Sequence, residues 1–327
     1  MGTAPKCLSV LAILKDGSVC SGSELASRLG VSRAVIWKQV EALRNHGLEI
    51  DAVAGQGYRL RQRVELLDPS LLAQGLVANE QLRRLDVVWD IDSTNAELLR
   101  RSERESIHGH ALLAELQTAG RGRRGRHWIA PLGSGVCLSL GWEFTMQPAA
   151  ISAMSLAAGV AVVAALKHLG VPELGLKWPN DVVWRGKKLA GILSEIKLES
   201  AGRCTTVLGV GVNQRMPTAI AESLDRPVVD LATILANPPD RNQLAQALIE
   251  ALFVMLSRYE RDGFRAYLES WRSLDAMLDR EVLLQLPERE VTGLVRDVDD
   301  DGALLLEVGG HRERFTVGDL SLRESGR

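Results

Sequence analysis

Cysteine is scarce and scattered in this sequence: Cys7, Cys20, Cys137 and Cys204 form no C-x-x-C pair. That excludes a disulfide framework and a structural zinc site, and it fits reduced thiols in a cytoplasmic protein. A charge surplus is also missing. With 39 Lys and Arg against 41 Asp and Glu, the 327-residue chain is not a globally basic nucleic-acid coat. It has no internal repeat, no low-complexity tract, no Walker lysine and no kinase HRD or DFG motif. The first apolar run, CLSVLAIL at 7–14, is short and stops at Lys15-Asp16, so a helix is expected there rather than a signal peptide. One uncharged stretch, 149–166, reaches bilayer-spanning length. Its Ala, Ser and Gly would insert weakly, so a helix buried on a sheet is expected and no membrane association.

What is present divides into three regions, a multidomain α+β chain. In 1–65, Ser23 is expected to cap SELASRLG and Ser32 to cap RAVIWKQVEALRNHG, with Ile36, Val40 and Leu43 on one face and Gly47 past its end. Two helices joined at Gly30-Val31-Ser32, followed by a Gly55-Gln56-Gly57 hairpin, form the winged helix-turn-helix pattern. The region holds nine Lys or Arg against six Asp or Glu. Arg33, Trp37 and Lys38, with Ser32 and the wing residue Gln56, are the candidates for DNA contact, and Arg59, Arg61 and Arg63 for phosphate contact. Trp37 packed against the wing, and a helical module for protein partners, are the alternatives.

From 66 to 272, strands and helices alternate as in a mixed α/β domain with a large sheet. Strands are expected in LDVVWDID, HALLAEL, GVCLSLGWEF, LGLKWPN, KLAGILSEI and CTTVLGVGVN, and helices at 93–103, 150–169 and 241–263. Residues 273–327 carry short strands only, separated by Asp300-Asp301-Gly302 and Gly309-Gly310, which fits a small β-barrel.

The stretch GRGRRGRHW, 120–128, concentrates four arginines on a glycine-rich backbone. Gly120, Gly122 and Gly125 satisfy G-x-G-x-x-G, but Pro131, Gly133 and Gly135 follow where a dinucleotide fold requires a helix, so that fold is rejected. Glycines let backbone amides approach a phosphate, and Arg121, Arg123, Arg124 and Arg126 can neutralise a triphosphate beside Trp128, a face for a purine. A solvated basic loop gripping RNA or an acidic partner is the bland alternative. STN at 93–95, KWPND at 177–181 and RGKKLAGIL at 185–193 weigh against it, because together they supply a polar-edged apolar slot.

These motifs, in order with GVGVN and the winged head, resemble the biotin protein ligase family, specifically its bifunctional bacterial type that joins ligase and biotin-operon repressor. The resemblance implies a central fold similar to class II aminoacyl-tRNA synthetases and a C-terminal SH3-like barrel. It implies formation of biotinyl-5′-AMP from biotin and MgATP, then transfer to a lysine of the biotin carboxyl carrier protein of acetyl-CoA carboxylase. On that likeness Ser93, Thr94, Asn95 and Gln117 meet the ureido ring, with Gly120 and Arg121 completing the pocket. Arg123 and Lys188 hold the carboxylate and α-phosphate, and Arg124, Arg126, Trp128, Lys177, Asn180 and Asn213 face the ATP side. Asp181 would orient or deprotonate the incoming lysine, or help bind Mg²⁺. A homodimer formed through the central sheets when the adenylate is bound, and operator DNA as its partner, follow from the same likeness.

His127 departs from the family's pattern, which has Lys there; an imidazole is largely neutral at pH 7, so one loop charge is lost. A lipoate-type ligase on a related fold and a ligand-sensing regulator without catalysis are the competing readings. His108 and His110 have no third ligand nearby and read as turn residues, so no structural metal is expected.

Overall fold

The computed structural model describes residues 7–61, 64–146, 148–198 and 203–322. The head comprises α1 (Cys7–Leu14), α2 (Gly22–Leu29), α3 (Arg33–Asn45) and the antiparallel hairpin β1 (Ile50–Val53) and β2 (Gly57–Leu60). Ser32 caps α3 as expected, but α2 is capped by Ser21, whose hydroxyl accepts the Glu24 N–H at 3.0 Å, not by Ser23. The reason lies one residue upstream: Cys20 exchanges two backbone hydrogen bonds with Tyr58 on the wing, so the chain is still extended at Ser21. Gly57 permits this, since a Cβ there would lie 2.1 Å from the Cys20 carbonyl oxygen. Val10, Leu14, Leu25, Ile36, Val40, Leu43 and Leu60 fill the head's core.

Leu132, from the segment after the glycine–arginine loop, is buried in that same core. Its N–H donates to the His46 carbonyl at 3.2 Å, and Pro131 lies against Gly47 at the end of α3.

A short helix, α4 (Pro69–Gly75), follows, capped by Asp68. The central sheet consists of β3 (Arg84–Ile91), β4 (His110–Gln117), β5 (Gly135–Phe144), β6 (Leu174–Lys177), β7 (Asp181–Trp184), β8 (Lys187–Leu198) and β9 (Cys204–Asn213). Their order is β3-β4-β5-β9-β8-β7-β6, and only β3 and β4 run parallel. Period-two alternation assigns the two faces. On β4, Ala111 and Leu113 join the main core while Leu112 packs with Leu98 of α5 (Thr94–Arg101) on the other side. The main face is covered by α6 (Pro148–Ile151), α7 (Met154–His168), α9 (Leu231–Ile234), α10 (Arg241–Asp262) and α11 (Leu268–Ser273), α7 and α10 supplying most of the apolar side chains, whereas α8 (Thr218–Ser223) buries no residue. The uncharged stretch is thus α6 and α7, packed on the sheet; no helix among the described residues is long and apolar enough to cross a membrane.

At the root of α10, buried Arg241 pairs with Glu115 of β4 at 2.6 Å and donates to the carbonyls of Glu65 (2.6 Å) and Gly135 (2.9 Å). Glu115 in turn accepts the Leu67 N–H at 2.5 Å, so one ion pair fixes the connection between head and sheet.

The C-terminal strands β10 (Glu281–Gln285), β11 (Glu290–Val298), β12 (Leu304–Val308), β13 (His311–Phe315) and β14 (Asp319–Leu322) form an antiparallel sheet in the order β13-β12-β11-β10-β14. Its Val282, Leu284, Val295 and Leu306 belong to the same core as α7 and α10. Residues 274 and 276 hydrogen-bond to Leu176, extending the β6 edge of the central sheet.

Candidate active site

Strand ends and loops converge on one cavity of about 840 Å³, within the range of small-molecule sites. Its floor is β8 and β9, and glycine there makes room. A Cβ at Gly211 would lie 2.3 Å from Trp128 Cε2, and one at Gly209 the same distance from Asn95 Oδ1. The GVGVN stretch is therefore the surface on which both groups rest.

One end is polar and built from STN. Ser93 caps α5, and Thr94 donates to Gln117 Oε1 from its N–H (2.8 Å) and its hydroxyl (3.1 Å). Asn95 is already spent: Nδ2 donates to Glu195 at 2.9 Å and Oδ1 accepts from Ser139 at 2.6 Å. Arg121 reaches the same Glu195 at 3.0 Å. Asn95 therefore positions the pocket wall rather than offering a free amide to a ligand.

The other end is cationic. The glycine–arginine loop closes on itself through Gly122 N–H to the Arg126 carbonyl (2.7 Å) and Trp128 N–H to the Gly120 carbonyl (2.9 Å), with a single turn at Arg123–Gly125 and no helix after it. Arg121, Arg123, Arg126 and Trp128 line the cavity; Gly120 and Arg124 do not. Gly120 closes the loop's neck against the Trp128 carbonyl, and Arg124 donates to the Gln285 carbonyl at 2.8 Å, tying the loop to the C-terminal strands. Arg123, Arg124 and Arg126 all converge on Asp319 of β14, at 3.8, 3.3 and 3.2 Å.

Lys188 Nζ lies 2.5 Å from Asp181 and 5.7 Å above the Trp128 ring. That Asp181 oxygen is buried with no aligned hydrogen bond, so it is compensated by charge, the Lys188 ammonium being in direct contact. Lys177 also lines the cavity, and burial holds its ammonium below the usual lysine range. Asn180 sits at a turn with a cis Trp178–Pro179 peptide and donates to the Ile192 carbonyl at 2.7 Å. Asn213 donates to the Val229 carbonyl at 3.1 Å, fixing a strap over Lys188. Burial also pushes the Cys137 thiol beneath the pocket up to about 11, so it stays protonated.

Sequence reading missed two walls of this cavity: residues 223–228, and Gln285 with Asp319–Leu322. In the head, Ser32, Arg33, Trp37, Lys38 and Gln56 are exposed, Trp37 to 55%. Arg59 and Arg61 pair with Asp51 at 3.3 and 2.8 Å, whereas Arg33 and Lys38 form no ion pair among the described residues. Arg63 and the Cys7 side chain lie outside the described residues. No three His, Cys, Asp or Glu side chains cluster as metal ligands among the described residues.

Residues 89–213 match the Biotin/lipoate A/B protein ligase family, 8–59 an HTH domain and 277–323 the Biotin protein ligase C terminal domain. Over 97% of its length the chain is 37% identical to the bifunctional ligase/repressor BirA of Salmonella typhimurium, covering 98% of that protein. It is 39% identical over 80% of its length to the biotin–[acetyl-CoA-carboxylase] ligase of Mycobacterium tuberculosis, covering 97% of it. The biotin protein ligase from Aquifex aeolicus, solved with biotin and ATP, superposes with a TM-score of 0.61 at 28% identity over 75% of this chain and 100% of that one. The chain belongs to the bifunctional biotin ligase/repressor family.

Proposed function

We propose that this protein is an ATP-dependent biotin protein ligase carrying a DNA-binding repressor head. The observation that carries the reading is the joining, in one cavity, of a neutral hydrogen-bonding end at Thr94 and Gln117 with a cationic end at Arg123, Arg126 and Lys188. The first end suits a neutral, hydrogen-bonding ring; the second suits a carboxylate meeting a triphosphate.

In the first step a biotin carboxylate oxygen attacks the α-phosphorus of ATP and the bond to pyrophosphate breaks. Arg123 and Lys188 stabilise the charge that grows on the phosphate oxygens, and Asp181 holds the Lys188 ammonium in place. In the second step a carrier lysine amine attacks the acyl carbon and AMP leaves. The loop and Trp128 keep water from the acyl-adenylate meanwhile. Magnesium would arrive on the ATP phosphates and neutralise part of their charge; Asp181, which lines the cavity beside Lys188, would be the carboxylate to help hold it.

The biotin carboxyl carrier protein of acetyl-CoA carboxylase is the proposed acceptor and operator DNA the proposed partner of Arg33, Trp37, Lys38, Ser32 and Gln56. For dimerisation with bound adenylate, the central sheet offers β3, a terminal strand with no strand beyond it among the described residues, whereas β6 is covered by residues 274–276.

The test is incubation with biotin, MgATP and a carrier domain, following AMP release and carrier mass. A biotin-sized, ATP-dependent mass gain is expected. Biotin binding without transfer would move the assignment to a ligand-sensing regulator.

A further inference from the structure

The strap that crosses Lys188 carries a cation which neither the motifs nor the steps above use. Lys188 is gripped on both sides of its own backbone: its N–H donates to the Pro227 carbonyl and its carbonyl accepts the Val229 N–H, each at 3.0 Å. Asn213 holds the same strap at Val229. Arg226 is therefore fixed one residue ahead of a pinned segment, and it lines the same cavity as the glycine–arginine loop. Its side chain is two-thirds covered, and its ion-pair partner is its neighbour Asp225 at 3.3 Å, a carboxylate 84% exposed to water. Such a contact is weak and easily exchanged.

The electrostatics point the same way. Lys177 feels Lys188 and Arg226 as opposing cations and Asp181 as its main compensating anion, so Arg226 belongs to this charge cluster rather than to the outer surface. Six Arg and Lys side chains line this concave site, Lys177, Lys188 and Arg226 among them, against three carboxylates, Asp181, Asp225 and Asp319, which leaves positive charge uncompensated. A polyanion is the ligand that resolves it.

We infer that Arg226 is a substrate-binding residue for the part of ATP that leaves, gripping the β- and γ-phosphates from the strap while Arg126 grips from the loop. A guanidinium offers two parallel donors to phosphate oxygens, and the strap's backbone bonds to Lys188 set its distance from the α-phosphate site. This rests on the ligase reading above. It deepens that reading by assigning the leaving group's contact to a segment outside the recognised motifs.

The two half-reactions separate the possibilities. Adenylation uses triphosphate; transfer from preformed biotinyl-5′-AMP to the carrier does not. Arg226→Gln is expected to raise KM for ATP and weaken pyrophosphate binding about ten- to a hundredfold, with biotin affinity and the transfer half-reaction unchanged. Arg226→Lys should regain part of the loss, and its thermal melt checks that the strap stays folded. Equal losses in both half-reactions would reduce Arg226 to a structural role and overturn the inference, as would an unaltered KM for ATP. A wild-type protein that forms no adenylate at all would instead fail the ligase reading and the inference with it.

Discussion

Asp319 on β14 and Arg126 in the glycine–arginine loop meet at 3.2 Å across nearly two hundred residues of chain, and Arg123 and Arg124 close on the same carboxylate. The loop is thus tethered to the C-terminal sheet by the charges that phosphate would otherwise claim. Asp319→Asn removes the compensation, leaves the arginines to repel one another and loosens the loop. Trypsin cleavage after the loop arginines should accelerate about three- to tenfold, the pairs being partly solvated. Fragment masses over a time course read this out, and an unchanged rate would show that Asp319 does not hold the loop.

Lys188→Ala should cut adenylate formation about 10²- to 10³-fold, the scale of losing one preorganised charge at a reacting centre. Lys188→Arg should recover little, because a planar fork does not replace a point charge wedged between Asp181 and the Trp128 face. Single-turnover assays with labelled ATP measure both, with biotin binding as the control for folding.

The Arg241–Glu115 pair is nearly inaccessible to water, so removing one partner strands the other. Arg241→Met should cost about 3–5 kcal/mol in urea denaturation. The double variant Arg241→Met with Glu115→Gln should cost less than the sum of the two single changes. Additive costs would contradict a coupled pair.

Stability should also depend on Asp275, whose carboxyl burial pushes up to about 6 from an ordinary value near 3.8. Its protonated form suits the fold. The unfolded chain ionises first, so stability falls as pH rises from about 4 through 6 and stays lower above that. Asp275→Asn should be about 2 kcal/mol more stable than wild type at pH 7 and no more stable at pH 3. Denaturation across that interval tests the sign, and parallel curves for the two proteins would refute it.

Local chemistry made much of this legible in the sequence. Ser32 and Ser93 announce helix starts because capping needs only the next three residues, and the long β5 and β9 strands announce themselves by ten-residue runs of apolar and small residues in which Glu143 is the one charge. The cap at Ser21 was missed because it is set by Cys20 pairing with a wing residue 38 positions later, and β7 because DVVW follows a proline turn and is only four residues long. Asn95, Gly120 and Arg124 sit inside the right motifs, yet their side chains or backbones serve the scaffold. Asp319 and the strap with Arg226 carried no local signal, since their meaning comes from partners far along the chain.

Only three residues lie between Trp128, which walls the catalytic cavity, and Leu132, which fills the core of the head. The two activities are therefore not beads on a string: one short segment is interior to both. A lineage shedding the head could not simply be cut at residue 65. It would leave an aliphatic side chain standing in water beside its own active site, and would have to rewrite Pro131 and Leu132 along with the loss.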